Sequence, residues 1–151
     1  MQITANNPKL RSWIEVTASS EFPIQNLPFG IFETASSTKR VGVRIGNLVL
    51  DLSLMASFGY FDDLNFTVAE FSQEFLNPMM QKGKMAVRAL RNRIAELLAT
   101  DNTSFQNNAA QHHALIPIAE VQMALPVQIG DYTDFYSSKE HATNVGVMFR
   151  D

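Results

Sequence analysis

Alternation of apolar and polar positions is clearest between Arg40 and Leu52. Val41, Val43 and Ile45 alternate with Gly42 and Arg44. Gly46-Asn47 follows, and then Leu48 to Leu52. Two strand-like runs joined by a Gly-Asn pair predict a β-hairpin, because both residue types tolerate positive φ. Upstream, residues 1–12 are polar and read as a loose start, and Ser12 to Val16 reads as a short strand. Phe22 to Phe32 carries large apolar side chains, but Pro23, Pro28 and Gly30 exclude a helix. That stretch predicts an extended, turn-rich strip. A polar loop over Thr34 to Lys39 separates it from the hairpin.

After the hairpin the period lengthens toward that of helices. Asp51 or Ser53 suits the cap of a short helix running through Phe58, and a second short helix fits Val68 to Phe75. Asn77-Pro78 places a capping residue before a proline suited to a first turn. From there Met85, Leu90, Ile94, Leu97 and Leu98 form a stripe, while Lys82, Lys84, Arg88, Arg91 and Arg93 fall elsewhere on what reads as a solvated face. Gly83 is expected to weaken this helix without breaking it. Met79, Met80 and Met85 read as core filler. Residues 100–113 are polar and aperiodic, predicting a loop, with His112 and His113 solvated. Ile116 to Leu125 predicts a strand edged by prolines. The mixture is α+β.

Composition narrows the function. Twelve Lys and Arg against 15 Asp and Glu leave a net charge of −3. That balance argues against a phosphate-backbone binder, hence no nucleic acid, and against a polybasic membrane module. Hydrophobic residues make up 46% of the 151, and 11 are Phe, enough for a packed core. With no cysteine there is no thiol nucleophile, zinc-thiolate site or disulfide, which suits a reducing cytoplasm. The start lacks the apolar region of a secretion signal, and no apolar run approaches the roughly 20 residues a membrane helix needs. The expectation is a soluble, cytoplasmic protein.

Ionisable and aromatic residues crowd the stretch after Pro126. Asp131 and Asp134 could supply oxygens to a hard cation. His141 could take a proton from water near neutrality, and Arg150 could hold a carboxylate by two parallel hydrogen bonds. Together they outline a metal-assisted hydrolase. Each also has an ordinary structural use, as a loop aspartate, a surface histidine or a surface ion pair. No phosphate-binding glycine loop and no serine nucleophile elbow is present.

The run Ile129-Gly130-Asp131-Tyr132-Thr133-Asp134-Phe135-Tyr136-Ser137-Ser138, followed by His141 to Gly146 and Met148 to Asp151, resembles the start of the catalytic domain of the fumarylacetoacetase family. Phe22 to Phe32 is similar to that family's amino-terminal signature, and Arg40 to Leu52 to the hairpin after it. The resemblance runs from about Trp13 to Asp151. It implies a small SH3-like β-barrel with helical insertions over residues 1–125 and a truncated lead into a β-rich catalytic domain over 126–151. It implies hydrolysis of a carbon–carbon bond in fumarylacetoacetate, giving fumarate and acetoacetate, the last step of tyrosine and phenylalanine breakdown. By the same resemblance Asp134 is a metal ligand for Ca²⁺ or Mg²⁺, Tyr136 and Arg150 contact substrate, and His141 is the base that activates water. Asp131 lies in the motif without a carried-over role. The complete enzyme is expected to be a homodimer.

The family's other metal ligands, the histidine's carboxylate partner and the oxyanion-stabilising lysine and glutamine lie further along the catalytic domain. This chain alone is therefore expected to be inactive and to bind metal weakly or not at all. Its abrupt end on Phe149-Arg150-Asp151 reads as a cut, and residues 127–151 are expected to lack packing partners, being either disordered or packed on a neighbouring copy. The competing expectation is an SH3-like protein-interaction module without catalysis, using a groove of aromatics.

Overall fold

The computed structural model describes residues 4–150. The expectations on residues 1–3 and on Asp151 lie outside the described residues.

Five strands form one antiparallel sheet: β1 (Phe29–Thr34), β2 (Ser37–Ile45), β3 (Leu48–Asp51), β4 (Leu115–Pro117) and β5 (Val121–Ala124), in the order β4-β3-β2-β1-β5. The predicted hairpin is present, with Ile45 opposite Leu48 across Gly46-Asn47. Only Gly46 of that pair takes positive φ, at +52°. The polar loop is shorter than expected. Thr34 pairs with Ser37, so β2 starts at Ser37 and a two-residue turn suffices.

A helical excursion separates β3 from β4. It comprises α1 (Leu52–Ser57), α2 (Val68–Phe71), α3 (Asn77–Gln81), α4 (Gly83–Leu98) and α5 (Thr103–Gln106), with 3₁₀ turns at Asp62–Leu64 and Ala109–Ala114. Asp51 caps α1, its Oδ1 accepting from the Ser53 and Leu54 amides at 2.9 and 3.2 Å and from the Ser53 hydroxyl. Because β1, β2 and β3 are pleated, Ile31, Val43, Ile45 and Leu50 face the helices. They form one core with Leu52, Met55, Phe61, Phe71, Leu90, Ile94, Leu98 and Phe105. The other face carries a smaller cluster. Gly42 is overlain by Phe32 and Val49, and a Cβ added there would lie 2.7 Å from both side chains.

Several expectations are corrected. Ser12 to Val16 is not a strand, since Ser12 makes only an isolated bridge to Ala99. The segment instead finishes α4, its Trp13 N–H groups serving carbonyls at the helix end. The second helix stops at Phe71 rather than Phe75. Gly83 does break the long helix, dividing α3 from α4 at φ +85°, a backbone that side-chain-bearing residues rarely adopt. The break rotates the stripe, so Met85 is 56% exposed while Leu90, Ile94, Ala95, Leu97 and Leu98 are buried. Met79 is core, whereas Met80 and Met85 are not.

The basic residues around α4 are not simply solvated. Lys82 pairs with Glu70 at 2.6 Å, Arg93 with Asp63 at 2.8 Å, and Arg91 donates to the Gln25 carbonyl. Residues 100–113 are folded, because Asn102 caps α5 and Phe105 is fully buried. His112 stacks on Trp13 with centroids 5.3 Å apart, and His113 meets Phe58 edge-on. Ile116 to Leu125 is two strands, split by a 3₁₀ turn at Ile118–Glu120. Among the described residues β4 and β5 do not pair, so the sheet is open.

Candidate functional site

The segment holding the sequence-predicted site leaves the body after β5. Its exit is tied down by the start of α3. The Leu76 amide donates to the Pro126 carbonyl at 2.8 Å. Asn77 Nδ2 donates to the Gln128 carbonyl at 3.0 Å, and its Oδ1 accepts from the Gln128 amide at 2.9 Å. From Ile129 to Ser137 the chain has no regular element, and its side chains are exposed.

The next ordered element is α6 (Lys139–Phe149). Its cap is Ser138, whose Oγ accepts from the His141 amide at 3.1 Å, and Glu140 lies in its first turn. Residues 127–150 are therefore not wholly without structure, though α6 buries none of its residues. Ile129, Phe135, Val147, Met148 and Phe149 all stand largely in solvent.

The structure brings two of the expected site residues together. The Tyr136 and His141 rings meet edge-on, centroids 5.2 Å apart and planes at 61°. Ser138 sets this geometry, because its cap fixes the first turn that carries His141. Arg150 is not brought to them. It ends α6, nine residues beyond His141, which at 1.5 Å per residue is about 13 Å along the axis. Asp131 and Asp134 sit on the exposed strip before the helix. Among the described residues no hydrogen bond or ion pair joins Asp134 or Arg150 to either ring.

A divalent ion of the kind the resemblance implies needs about six or more oxygens. Among the described residues no three His, Asp or Glu side chains converge in a way that could hold one. Asp134 offers a single carboxylate, so the donors present do not by themselves fit such an ion.

Ser138 and Asn77 are the positioning residues that sequence reasoning missed. Ser138 before Lys139-Glu140-His141 carried a usable helix-start signal. Asn77, expected to cap the helix before Pro78, is instead the first residue of α3 behind Leu76, whose side chain makes no cap bond. Its carboxamide serves Gln128, 51 residues away, a role with no local signal.

Away from this segment, the outer sheet face holds an apolar cavity of about 150 Å³ between Phe22, Phe29, Phe32, Val49 and Met123. The Arg44 guanidinium at its edge lies 4.4 Å over the Phe22 ring.

Comparison with known proteins gives a consistent picture. The family described as fumarylacetoacetase N-terminal matches residues 25–126. The fumarylacetoacetase of Dictyostelium discoideum is 46% identical over 143 residues, that of Caenorhabditis elegans 43% over 143, and that of Homo sapiens 42% over 142. Each alignment covers 93% of this chain and 34% of the relative. The chain thus spans about a third of the length of the curated relatives it matches. With 93% of the chain aligned, the likeness extends past Pro126, where the family match stops, into the exposed strip before α6.

Proposed function

The chain belongs to the fumarylacetoacetase N-terminal family, and from that premise we propose that it is the amino-terminal module and first catalytic segment of a β-diketone hydrolase. The reaction is hydrolysis of fumarylacetoacetate to fumarate and acetoacetate, in tyrosine breakdown. The observation that carries this reading is the continuous likeness to fumarylacetoacetases over 93% of the chain, across the module and into the segment beyond it.

In this reading residues 1–125 form the module and 126–151 begin the catalytic domain. The module is SH3-like. Support comes from the meander β1-β2-β3, the return of β5 to β1, and the single 3₁₀ turn joining β4 to β5. The helices are then an insertion between its third and fourth strands.

Cleaving the diketone requires hydroxide at one carbonyl and stabilisation of the enolate that leaves. His141 is the base that takes a proton from water. Tyr136, beside it, offers a hydroxyl to substrate, and Arg150 offers a guanidinium to a substrate carboxylate. Asp134 is one ligand of a Ca²⁺ or Mg²⁺ ion whose remaining ligands come from elsewhere. No step is assigned to the ion, because one carboxylate does not make its site. The complete enzyme is a cytoplasmic homodimer, and the 151-residue chain alone is inactive. Among the described residues no helix is long and apolar enough to cross a membrane.

The test is fumarylacetoacetate hydrolysis, with Ca²⁺ or Mg²⁺ supplied, by this chain and by the chain extended along its reading frame. Activity in the extended protein only supports the proposal; activity in neither overturns it. A second reading, a protein-interaction module, draws on the aromatic-lined cavity of the outer sheet face. A stop codon directly after Asp151 would favour it.

A further inference from the structure

Resting on the hydrolase reading above, we infer that Asn77 is a positioning residue: its side chain fixes the point and direction from which the segment bearing Asp134, Tyr136 and His141 leaves the module. A carboxamide carries one donor edge and one acceptor edge, as a peptide group does. Asn77 turns both toward a single residue, giving Nδ2–H to the Gln128 carbonyl and taking the Gln128 N–H on Oδ1. With the Leu76 amide on the Pro126 carbonyl, residues 76–77 hold 126–128 as a short stretch of ladder would. No other side chain of similar length does this. Aspartate has no donor and alanine has neither group.

The place of this clip in the chain gives it its role. Among the described residues, Gln128 is the last one before the site segment to hydrogen-bond to the body. Later hydrogen bonds among the described residues are those of the Ser138 cap and of α6 itself. Asp134 is six residues and His141 thirteen residues past the clip. The anchor itself is firm, because Leu76 and Met79 on either side of Asn77 are buried in or beside the core. The direction set at Gln128 is therefore carried along the chain to the site. A small loss of definition at the clip is amplified over the unsupported residues that follow.

The test is made in the extended protein, comparing wild type with Asn77→Ala, Asn77→Asp, Gln128→Pro and the double variant Asn77→Ala with Gln128→Pro. Amide exchange at Gln128 in Asn77→Ala should rise about tenfold or more, while exchange in β2 and α4 and the melting temperature stay as in wild type. Asn77→Asp keeps the acceptor for the Gln128 amide and should restore much of that protection. The turnover number on fumarylacetoacetate should fall about tenfold in Asn77→Ala, and the double variant should be no slower than the slower single. Unchanged protection at Gln128 in Asn77→Ala overturns the clip. Raised exchange with turnover within twofold of wild type overturns the positioning role. A wild-type extended protein that hydrolyses nothing overturns the hydrolase reading and the positioning role with it, while exchange at Gln128 still decides whether the clip exists.

Discussion

The indole N–H of Trp13 donates to the carbonyl of Leu97 at 3.1 Å, and the backbone N–H of Trp13 donates to the next carbonyl, that of Leu98. A residue 84 positions upstream thus supplies donors for the end of α4, which would otherwise leave buried acceptors unpaired. The same ring stacks on His112 and meets Phe105 edge-on, so it ties the amino-terminal strap, α4 and α5 into one unit. Trp13→Phe keeps most of the packing and removes the indole donor. The expected loss of stability is about 1–2 kcal/mol, read from urea denaturation. A change below a few tenths would mean that the Leu97 carbonyl finds another donor.

Asp51 is fully buried and does two things at once: it caps α1 through Oδ1 and meets the Arg40 Nε through Oδ2 at 2.5 Å. Arg40 also donates to Ser37 and stacks over the Phe32 ring at 4.4 Å. Asp51→Ala strands a nearly buried guanidinium and uncaps the helix. It should lower stability by about 3 kcal/mol or more by chemical denaturation. Asp51→Asn keeps an acceptor for the cap and should cost less. Equal losses in the two variants would show that the charge, which both lack, carries the whole effect and the retained acceptor none of it.

Gly42→Ala should destabilise the protein by about 1–3 kcal/mol. Its new methyl would lie 2.7 Å from Phe32 and from Val49, and both side chains are held inside the outer-face cluster. The denaturation midpoint is the readout, and a midpoint equal to wild type would show that Phe32 can swing away freely.

Glu70 predicts a pH dependence. Burial opposes its charge, but hydrogen bonds from Lys82 and from the backbone and hydroxyl of Thr67 outweigh this and hold the carboxyl below its ordinary value of 4.5. A folded value below the unfolded one gives stability that is present in full above about 4.5 and lost as pH falls through the folded value. Partial exposure limits the contribution to below about 1 kcal/mol. Glu70→Gln should therefore unfold earlier than wild type at pH 7, with the gap closing in acid. A gap that persists at low pH would assign the effect to packing.

His141→Ala in the extended protein should lower the turnover number by about 10²-fold or more while leaving substrate binding nearly unchanged. Because His141 is exposed, the same change should leave the stability of the 151-residue chain within about 0.5 kcal/mol. Near-normal turnover would remove His141 from the role of base.

The hairpin and the Asp51 cap were legible in the sequence because their causes are local: a Gly-Asn turn, an alternating pattern, a carboxylate two and three residues before the amides it serves. The break at Gly83 was not, because a helical stripe continues on either side of it. Only the partners of Lys82, namely Glu70, the Asn65 carbonyl and the Phe66 ring, reveal the chain's need to turn there. The polar stretch 100–113 hid its structure for a related reason. One buried Phe105 and one Asn102 cap order it, and neither makes a periodic pattern. At the candidate site, residue types were legible as a motif while geometry was not. Tyr136 and His141 are neighbours because of a helix cap, whereas Asp134 and Arg150 have no element here to converge on.

The sheet also dictates an order of assembly. Its first three strands are contiguous, but Leu50 pairs with Leu115 and Phe32 with Met123, closures of 65 and 91 residues. Such non-local pairings form slowly, since the chain entropy of a long loop is lost before the contact rewards it. During synthesis the β1-β2-β3 meander emerges with both edges bare and stays so until the helical excursion has been made and has folded. Those two open edges are where a nascent chain would recruit a copy of itself. The rate at which the helices condense thus sets how long the unfinished sheet is exposed to aggregation.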